Sequence, residues 1–522
     1  MRTIGEVPRI NAKYYPNKKA LVDFPKEFTW AAVNERSNRL ANALISLGCK
    51  KGDRVAILAH NSSEFVESIF ACAKAGLIYV PLNFRLSPPE MQYILNDSTP
   101  TTLLFSDEFS ATVSFLRQTF SLNYICIGED LGWAKAYENL VKSGSPTQPP
   151  DGEVSEDDPA EIFYTSGTTG LAKGVVHTHR ARLMGALNCV IDGELNHDDT
   201  YLLNVPALHH TAGWVWVLAN YLVGGSVVIS KLRGFNSETV LKNIQDFSIT
   251  NLQMVPVTIM ELIEYPHIDK YNLSSLRMIF YATAPMPASP LRKALSIFGN
   301  IFMQPYGLTE SGPNVTCLRK KQHSLDGLAD ETAAKRLRSC GRPCCGVDLK
   351  LVDEKGNEVP PHTVGEIVVK STDIMQGYWN NQEETRKAIK DGWLYTGDLG
   401  TYDEDFYVYL VDRKKDMIIS GGLNIYPAEI ERVIYEHPAV SQCAVIGVPD
   451  DRWGEAVKAF VVLQEGRQIS ETEIIEFCKK SLASYKKPKS VVFVNELPRN
   501  PQGKILKKVL REKYWANRER RI

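Results

Sequence analysis

YTSGTTGLAKGVV, residues 164–176, sets glycines and hydroxyl side chains around a single lysine, Lys173. It follows the apolar pair Ile162 and Phe163 and runs into Val175 and Val176, so it lies between two structured elements. Glycines let a loop direct consecutive backbone N–H groups at an anion, hydroxyl groups add donors, and lysine adds charge. The order Ala-Lys-Gly differs from the P-loop pattern, which needs Gly-Lys-Ser/Thr. Taken alone, the stretch is compatible with a flexible linker or with a phosphate-binding loop.

The sequence before this stretch alternates between helical and strand patterns. Apolar spacing predicts a helix over Trp30 to Leu47 that stops at Gly48, and another over Ser63 to Lys74 that stops at Gly76. Strands are predicted at 53–58, 79–82, 102–105 and 124–127. This alternation predicts an α/β fold with a largely parallel sheet. The segment 143–161, rich in proline, serine and acidic residues, is predicted to be a surface connection.

The sequence after this stretch changes character twice. The βα pattern continues through strands predicted at 227–229, 249–255 and 278–281. From about Asp348, short strands and turns indicate a β-rich subdomain, and from Asp412 a mixed pattern indicates a small α+β domain. We therefore predict a large N-terminal domain, residues 1–411, of βα-layered subdomains plus the β-rich part. A small mobile C-terminal domain, residues 412–522, follows it.

The totals exclude several classes of protein. The chain has 522 residues, with 60 basic and 61 acidic side chains, so no global charge favours nucleic-acid binding. The first thirty residues lack a signal-peptide core, and the apolar runs are too short to span a bilayer. The ten cysteines show no zinc-binding spacing and are expected to be reduced thiols. These features predict a cytoplasmic protein with no transmembrane segment. They are compatible with a homodimer.

Four more polar clusters accompany apolar runs, each of which by itself could be an ordinary turn. They are QPYGLTE at 304–310, which follows a strand predicted at 301–303, YTGD at 395–398, which follows the apolar pair at 393–394, DRKKDMIISGG at 412–422 and PRNPQGK at 498–504. Together with the first stretch and in this order, they resemble the AMP-forming acyl-CoA synthetase family of adenylate-forming enzymes. The resemblance covers nearly the whole chain. It implies activation of a carboxylic acid with MgATP to an acyl-adenylate, followed by transfer of the acyl group to a thiol.

The resemblance also implies roles for residues of the large domain. Glu310 is expected to hold Mg²⁺, Thr309 to donate its hydroxyl to the α-phosphate, and Asp398, beside Arg413, to bind the ribose hydroxyls. The residues expected to bind the β- and γ-phosphates are Thr165, Ser166, Gly167, Thr168, Thr169, Gly170 and Lys173. Those expected along the adenine are Ala284, Pro285, Tyr306 and Gly307.

Residues of the C-terminal domain are expected to serve both steps. By resemblance, Lys504 is the catalytic lysine of adenylation and Lys415 is the hinge. Gly421 and Gly422 are expected to line the path of the pantetheine arm of CoA in a rotated state, because glycine permits close approach to backbone. Trp453, Lys486 and Lys487 are further candidates for CoA contact.

The acyl site is expected to begin at His209, which matches the family's gate beside the acyl carboxylate. The segment 210–216 contains Trp214 and no acidic residue, which disfavours an α-amino acid because a buried ammonium needs a carboxylate partner. Thr283 replaces a glycine of the family pattern, as Ala282 does, and is expected to narrow the acyl tunnel. These features favour a fatty, alicyclic or aromatic acid.

The acceptor thiol is expected to be CoA, because the chain ends about eighteen residues after Lys504 without a carrier-protein domain. Two alternatives stay open at this point. One is a free-standing enzyme that loads a separate carrier protein, and the other is a nucleotide-binding protein without catalysis.

Overall fold

The computed structural model describes residues 1–149, 154–165, 172–204, 207–230, 234–282, 286, 288–324, 330–420, 423–499 and 505–516. Eleven residues for which the sequence predicts a role lie outside the described residues. They are Ser166, Gly167, Thr168, Thr169, Gly170, Thr283, Ala284, Pro285, Gly421, Gly422 and Lys504.

The strands of the described residues are numbered in chain order. They are β1 (Lys19–Asp23), β2 (Lys26–Thr29), β3 (Arg54–Leu58), β4 (Ile78–Pro81), β5 (Thr102–Ser106), β6 (Asn123–Ile127), β7 (Lys135–Ala136), β8 (Pro159–Thr165), β9 (Lys173–Thr178), β10 (Thr200–Leu203), β11 (Ser226–Ile229), β12 (Asn251–Met254), β13 (Met278–Tyr281), β14 (Phe302–Leu308), β15 (Gly312–Leu318), β16 (Arg342–Pro343), β17 (Asp348–Val352), β18 (Gly365–Lys370), β19 (Gly377–Tyr378), β20 (Ile389–Lys390), β21 (Trp393–Tyr402), β22 (Val408–Arg413), β23 (Ile418–Ser420), β24 (Leu423–Ile425), β25 (Val440–Asp450), β26 (Gly454–Leu463) and β27 (Ser490–Phe493).

The helices of the described residues are numbered in the same way. They are α1 (Glu6–Tyr14), α2 (Trp30–Ser46), α3 (Ser63–Ala75), α4 (Pro88–Ser98), α5 (Ser110–Leu116), α6 (Tyr137–Ser143), α7 (His179–Asp192), α8 (Thr211–Leu222), α9 (Ser237–Asp246), α10 (Pro256–Ile263), α11 (Ala288–Phe298), α12 (Lys320–His323), α13 (Asp330–Arg336), α14 (Gln382–Ala388), α15 (Pro427–Tyr435), α16 (Glu471–Ser481) and α17 (Lys507–Trp515). Each of these helices is too short or too polar to cross a lipid bilayer.

The chain forms two compact units. The first comprises Met1–Leu349, Val369–Thr396 and Phe406–Val408, and the second comprises Lys350–Val368, Gly397–Asp405 and Tyr409–Ile522. The predicted boundary at residue 412 stays a prediction.

Two mixed sheets form the first unit. One has eight strands in the order β19-β9-β8-β4-β3-β5-β6-β7, and the other has nine in the order β16-β15-β14-β13-β12-β10-β11-β1-β2. Their central strands run parallel, as the βα alternation predicts, while β8 with β9 and β14 with β15 form antiparallel pairs. These two pairs carry the polar motifs of the first unit.

Helices α3 and α8 lie in the hydrophobic core that both sheets share. Nearly every residue of α3 is buried, and Trp214 and Trp216 of α8 are at most 1% exposed. Burying a large apolar side chain contributes about 1.5–3 kcal/mol. The loops that follow the strands are thus attached to a tightly packed support.

The ends of the predicted helices follow from local chemistry. The Thr29 hydroxyl accepts a hydrogen bond from Ala32 N at the start of α2. Gly48, just after α2, and Gly76, the C-cap of α3, adopt φ of +92° and +67°, left-handed values that glycine allows at little cost.

The remaining sheets belong to the later part of the chain. A five-stranded sheet has the order β17-β18-β21-β20, with β22 paired to β21. The second unit contains the order β24-β23-β26-β25, with β27 paired to β26 and helices α15 to α17 around it. The large α/β domain and the small α+β domain of the sequence prediction are confirmed as fold classes.

Two local predictions were wrong. Pro159 to Glu161 forms the start of β8 and is not a surface connection. Glu161 is fully buried, and its carboxylate accepts a hydrogen bond from the buried Tyr79 hydroxyl. The strand predicted to end before Gln304 continues to Leu308, since β15 pairs with it along that length. The YTGD motif lies within β21, which begins at Trp393.

Candidate active site

The β8–β9 pair closes the base of the glycine-rich stretch. Thr165 and Lys173 are direct partners across the two strands, so the residues between them form the connection of a hairpin. A loop closed by paired strands is anchored at both ends, which disfavours the linker interpretation.

Lys173 has two partners in the first unit. Its ammonium forms an ion pair with Glu384 of α14, and it lies 5.0 Å from the centroid of the Tyr378 ring. Hydrogen bonding to Lys173 is the main cause of the lowered pKa of the Glu384 carboxyl. The Lys173 side chain is 13% exposed, and its positive charge is balanced by Glu384, which lies 211 positions away in sequence.

The turn between β14 and β15 contains Thr309 and Glu310 and is held at several points. Leu308 N donates to the Ser311 hydroxyl at 2.8 Å, and Met375 N donates to the Glu310 carbonyl at 2.8 Å. Gly312 has φ of +85°, and a Cβ there would lie 2.6 Å from the Asp373 carboxylate. The turn is therefore fixed by backbone and side-chain contacts together.

The Glu310 carboxylate accepts a hydrogen bond from the Tyr378 hydroxyl at 3.2 Å. Burial and the Glu310 carboxylate both raise the pKa of Tyr378, so the phenol keeps its proton and acts as the donor. Tyr378 belongs to β19, whose residues 377 and 378 pair with Val176 and Val175 of β9, the strand that begins at Lys173. One tyrosine thus connects Glu310 with the glycine-rich hairpin.

Among the described residues no group of three or more His, Cys, Asp or Glu side chains could hold a metal ion. Glu310 therefore offers a single carboxylate. This donor set suits Mg²⁺, which commonly takes one or two carboxylates together with phosphate and water oxygens.

Tyr306 and Gly307 lie within β14, ahead of the turn. Tyr306 is only 9% exposed. A Cβ at Gly307 would lie 2.5 Å from the carbonyl oxygens of Gly312 and Pro313. The close approach of β15 therefore explains this glycine, and its predicted nucleotide contact stays a prediction.

His209 lies in the loop before α8. Its ring meets Phe84 edge-on at 4.9 Å between centroids, and its buried Nδ1 has no hydrogen-bond partner. Burial, followed by the charges of His210, Arg85 and His60, holds the pKa of His209 well below its usual value. The imidazole is therefore neutral, and it retains a polar atom for a ligand.

His210 and Trp214 are also buried. The pKa of His210 is lowered to about 4, by burial first and then by Arg85. Trp214 packs edge-on against Phe70 and Tyr79 in the hydrophobic core. Its predicted contact with the acyl group stays a prediction.

In the second unit, Asp398 and Arg413 lie side by side. Arg413 Nε is 2.5 Å from Asp398 Oδ1, and the aspartate side chain is 7% exposed. Next to them, Glu366 accepts from Gly397 N at 3.1 Å and forms an ion pair with Lys414 at 2.8 Å. Arg413 thus orients a buried carboxylate whose two oxygens suit a pair of hydroxyl donors.

Lys415 lies in a single 3-10 turn, Lys414–Asp416, between β22 and β23. Burial lowers the pKa of its ammonium. The neighbouring Asp416 is anchored to Arg511 of α17 at 2.6 Å. Whether Lys415 acts as a hinge stays a prediction.

The candidate CoA residues have different surroundings. Trp453 is 41% exposed, with the Arg452 guanidinium 4.8 Å from its ring centroid. Lys486 pairs with Glu429 at 2.8 Å, and Lys487 is half-buried. Contact of these three residues with CoA stays a prediction.

Two site residues, Tyr378 and Glu384, were missed by sequence reasoning. Their nearest sequence signal is the run GYWNNQEET, in which Asn381 caps α14 by accepting from Glu384 N at 3.0 Å. A helix start is all that such a run predicts, so the contacts with Lys173 and Glu310 emerge only in the fold.

Comparisons with known proteins cover both parts of the chain. A family model described as AMP-binding enzyme matches residues 9–379, and one described as AMP-binding enzyme C-terminal domain matches residues 429–504. The chain is 35% identical to the fatty acid–[acyl-carrier-protein] ligase ScoC of Streptomyces coeruleorubidus, over 100% of this chain and 98% of that one. It is 37% identical to the feruloyl-CoA synthase of an Amycolatopsis species, over 98% and 99% of the two chains. Among solved structures, ATP-bound MatB from Rhodopseudomonas palustris superposes with a TM-score of 0.87 at 30% identity, covering 98% of this chain and 99% of that one.

Proposed function

The chain belongs to the AMP-binding enzyme family, and on that premise we propose that it is an AMP-forming acid–thiol ligase. It converts a hydrophobic carboxylic acid, ATP and CoA into acyl-CoA, AMP and pyrophosphate. The observation that carries the proposal is the β14–β15 turn, in which Glu310 directly follows Thr309 in sequence. The Glu310 carboxylate is held there by a hydrogen bond from the Tyr378 hydroxyl. A carboxylate fixed in this way beside a hydroxyl suits the charged phosphates of ATP.

The first step joins two anions. A carboxylate oxygen of the acid attacks the α-phosphorus of ATP, and the bond to pyrophosphate breaks. Cationic groups and hydroxyl donors must offset the charge without blocking in-line approach. We assign Lys173 and the glycine-rich hairpin to the departing pyrophosphate, and Lys504 to the attacking oxygen and the α-phosphate.

Recognition of the nucleoside is assigned to five side chains, and one further hydroxyl contact to the α-phosphate is assigned to Thr309, as follows from the motif resemblance. Asp398, oriented by Arg413, accepts the two ribose hydroxyls, which its pair of carboxylate oxygens suits. Tyr306, with Ala284 and Pro285, is assigned to the adenine. Thr309 donates its hydroxyl to the α-phosphate.

Glu310 is assigned to the magnesium ion of MgATP. When bound, the ion neutralises phosphate charge by taking hard oxygen ligands. Tyr378 keeps the Glu310 carboxylate in one orientation through its hydroxyl, and the carbonyl of the same glutamate is fixed by Met375 N.

The acid is proposed to be apolar, with its carboxylate next to His209. The neutral imidazole and its unpartnered Nδ1 provide a polar contact, and Phe84 provides an aromatic wall. The absence of an acidic residue from segment 210–216 disfavours an amino acid. Fatty and aromatic acids both satisfy this environment, and Thr283 favours medium-length chains or rings.

The second step transfers the acyl group. The CoA thiol attacks the carbonyl carbon of the acyl-adenylate, and AMP leaves with the former carboxylate oxygen. We propose that residues 412–522 act as a lid that rotates at Lys415, removing Lys504 and bringing Gly421 and Gly422 to the pantetheine arm.

The cytoplasm, where ATP and CoA are available, is the proposed compartment.

A carrier protein is the second candidate acceptor. It is favoured by the likeness to ScoC, whose name gives an acyl-carrier-protein ligase. Both acceptors deliver a thiol on a pantetheine arm, so the first step is the same for each.

An acid panel tests the proposal. The enzyme is incubated with MgATP and fatty acids from acetate to palmitate, benzoate, cyclohexanecarboxylate and cinnamate-type acids, with CoA or a phosphopantetheinylated carrier protein. We expect acid-dependent AMP release that requires CoA. Release that requires the carrier protein would identify the second acceptor, and silence with every acid would contradict the proposal.

A further inference from the structure

A buried charged network lies in the first unit beneath the glycine-rich hairpin. Glu161 of β8 and His177 of β9 are direct partners across the strand pair, and Arg182 follows on the first turns of α7. All three side chains are at most 1% exposed. Burying charged groups is costly unless they are paired and hydrogen-bonded. The proposed function has no step that uses any of the three.

Hydrogen bonds connect the side chains of this network and determine which histidine nitrogen carries the proton. Glu161 accepts from Arg182 Nε at 2.5 Å and from the Tyr79 hydroxyl at 2.7 Å. A terminal nitrogen of Arg182 lies 3.1 Å from His177 Nδ1. Because a guanidinium only donates, Nδ1 must be the acceptor and the imidazole proton must sit on Nε2. Burial, and then Arg182, hold the pKa of His177 well below its usual value, so the ring is neutral.

The ring nitrogen left for a further contact is the protonated Nε2 of His177. This nitrogen is buried and has no hydrogen-bond partner of good geometry. Gln376 N donates to the carbonyl of Val176 at 2.8 Å and Met375 N donates to the carbonyl of Glu310 at 2.8 Å, so one short segment joins the neighbours of His177 and Thr309. The backbone of Thr309 is a hydrogen-bond partner that acts on the imidazole. A buried donor without a well-aligned acceptor is destabilising, and catalytic hydrogen bonds are often long until substrate binds.

The hydrogen bonds of the β14–β15 turn given above involve the neighbours of Thr309. Ser311 holds Leu308 N, and Met375 holds the carbonyl of Glu310. These contacts fix the residues on either side of Thr309. The backbone of Thr309 itself is the part that His177 faces.

We propose that His177 is a positioning residue for nucleotide activation, in which its Nε2–H tightens onto the Thr309 carbonyl when MgATP binds. Glu161 and Arg182 set the tautomer that makes this donor available. The Thr309 hydroxyl and the Glu310 carboxylate are thereby aligned with the phosphates. This inference rests on the proposed function, because it concerns the same phosphate site.

Two substitutions separate the two contacts of the imidazole. His177→Asn carries its amide at the position of Nδ1, so it keeps an acceptor for Arg182 and loses the donor to Thr309. His177→Gln reaches the position of Nε2 and keeps that donor. The matched control is His179→Asn, because His179 is also fully buried and uses Nδ1 to accept from Ile4 N at 3.3 Å.

The measurements are acid-dependent exchange of labelled pyrophosphate into ATP, calorimetric binding of MgATP without acid, and the midpoint of thermal unfolding. We expect His177→Asn to lose about tenfold in kcat/KM for ATP and to bind MgATP more weakly, as removal of one aligned hydrogen bond implies. His177→Gln should stay within about threefold of the wild type in both. His179→Asn should lower the unfolding midpoint without changing either constant.

Equal losses in the Asn and Gln variants, or no loss in the Asn variant beyond that of the control, would overturn the role of His177. A wild-type enzyme that exchanges pyrophosphate with no acid would instead overturn the proposed function. In that case the MgATP affinities of the three variants still decide whether His177 aligns the phosphate site.

Discussion

The ammonium of Lys173 is paired with the carboxylate of Glu384, although its motif assigns it to the phosphates of ATP. This ion pair engages the lysine within the first unit. Under the proposed function, ATP must compete with an internal carboxylate for this cation. Breaking the ion pair between Lys173 and Glu384 is therefore part of the free-energy cost of nucleotide binding.

Replacing Glu384 should strengthen ATP binding. Glu384→Gln leaves Lys173 without its competing carboxylate, so we expect the KM for ATP to fall about two- to fivefold, as the modest strength of such ion pairs implies. The kcat should change by less than about twofold. Initial-rate kinetics measure both, and Glu383→Gln is the control, because this exposed neighbour in α14 forms an ion pair with Lys387. A higher KM in Glu384→Gln would show that the glutamate assists binding.

Removing the Tyr378 hydroxyl should weaken the response to magnesium. Tyr378→Phe deletes the donor that orients Glu310, and we expect the Mg²⁺ concentration for half-maximal rate to rise about three- to tenfold. A titration with MgCl₂ at fixed ATP measures this. Tyr124→Phe, which loses a hydroxyl bonded to the Phe120 carbonyl, should leave the titration unchanged. Identical titrations for both variants would exclude Tyr378 from the magnesium site.

Asp398 should discriminate between ribose and deoxyribose. We expect Asp398→Asn to raise the KM for ATP at least about tenfold, because it loses a charged acceptor. The same change should cost less with 2′-deoxy-ATP, which lacks one of the two hydroxyl donors. Asp403→Asn, another buried aspartate that accepts from Tyr409 at 2.7 Å, serves as the control. A loss of equal size with both nucleotides would contradict ribose recognition by Asp398.

Lys504 should be needed for one half-reaction only. Lys504→Ala is expected to abolish acid-dependent pyrophosphate exchange, because the cation that offsets charge at the α-phosphate is lost. Formation of thioester from preformed acyl-adenylate and CoA should remain within about threefold. Single-turnover assays of each half-reaction measure this, and equal loss in both would contradict two separate conformations of the C-terminal lid.

Stability should fall in mild acid because buried histidines are neutral in the fold. Burial lowers the pKa of His323 from 6.5 to about 4, so the unfolded chain takes up a proton at higher pH than the folded chain does. The stabilisation is complete above pH 6.5 and is lost as the pH falls towards 4, by about 3 kcal/mol for this one group. We expect the unfolding midpoint to drop between pH 7.5 and 5.0, and to drop less in His323→Gln.

The control for the pH experiment is His362→Gln, in which an exposed histidine is replaced. Its midpoint should follow the pH as the wild type does. A pH dependence of the His323→Gln variant as steep as that of the wild type would show that other groups are responsible.

The sequence predicted the elements whose signals are local. The helices at Trp30 and Ser63 carry an apolar face, an N-cap and a following glycine, and they appear where predicted. The motifs around Thr309 and Asp398 were found because their residues are contiguous in sequence. Tyr378 and Glu384 lie far in sequence from Glu310 and Lys173, which they contact, so no local pattern could reveal them.

Glu161 shows why burial was misjudged. It lies at the end of a segment of prolines and acidic residues, where a charged side chain predicts solvent exposure. Its partners, Tyr79 and Arg182, come from another strand and a later helix. Only the assembled sheet shows that a buried carboxylate at this position is satisfied.

The most direct test of the proposed chemistry follows an oxygen atom. An acid from the panel that supports turnover is labelled with ¹⁸O in both carboxylate positions, and the products with MgATP and CoA are analysed by mass spectrometry. Because the carboxylate attacks the α-phosphorus and AMP leaves with that oxygen, one ¹⁸O should appear in AMP and one should remain in the acyl-CoA. Label in inorganic phosphate or pyrophosphate, or AMP without label, would contradict an acyl-adenylate intermediate.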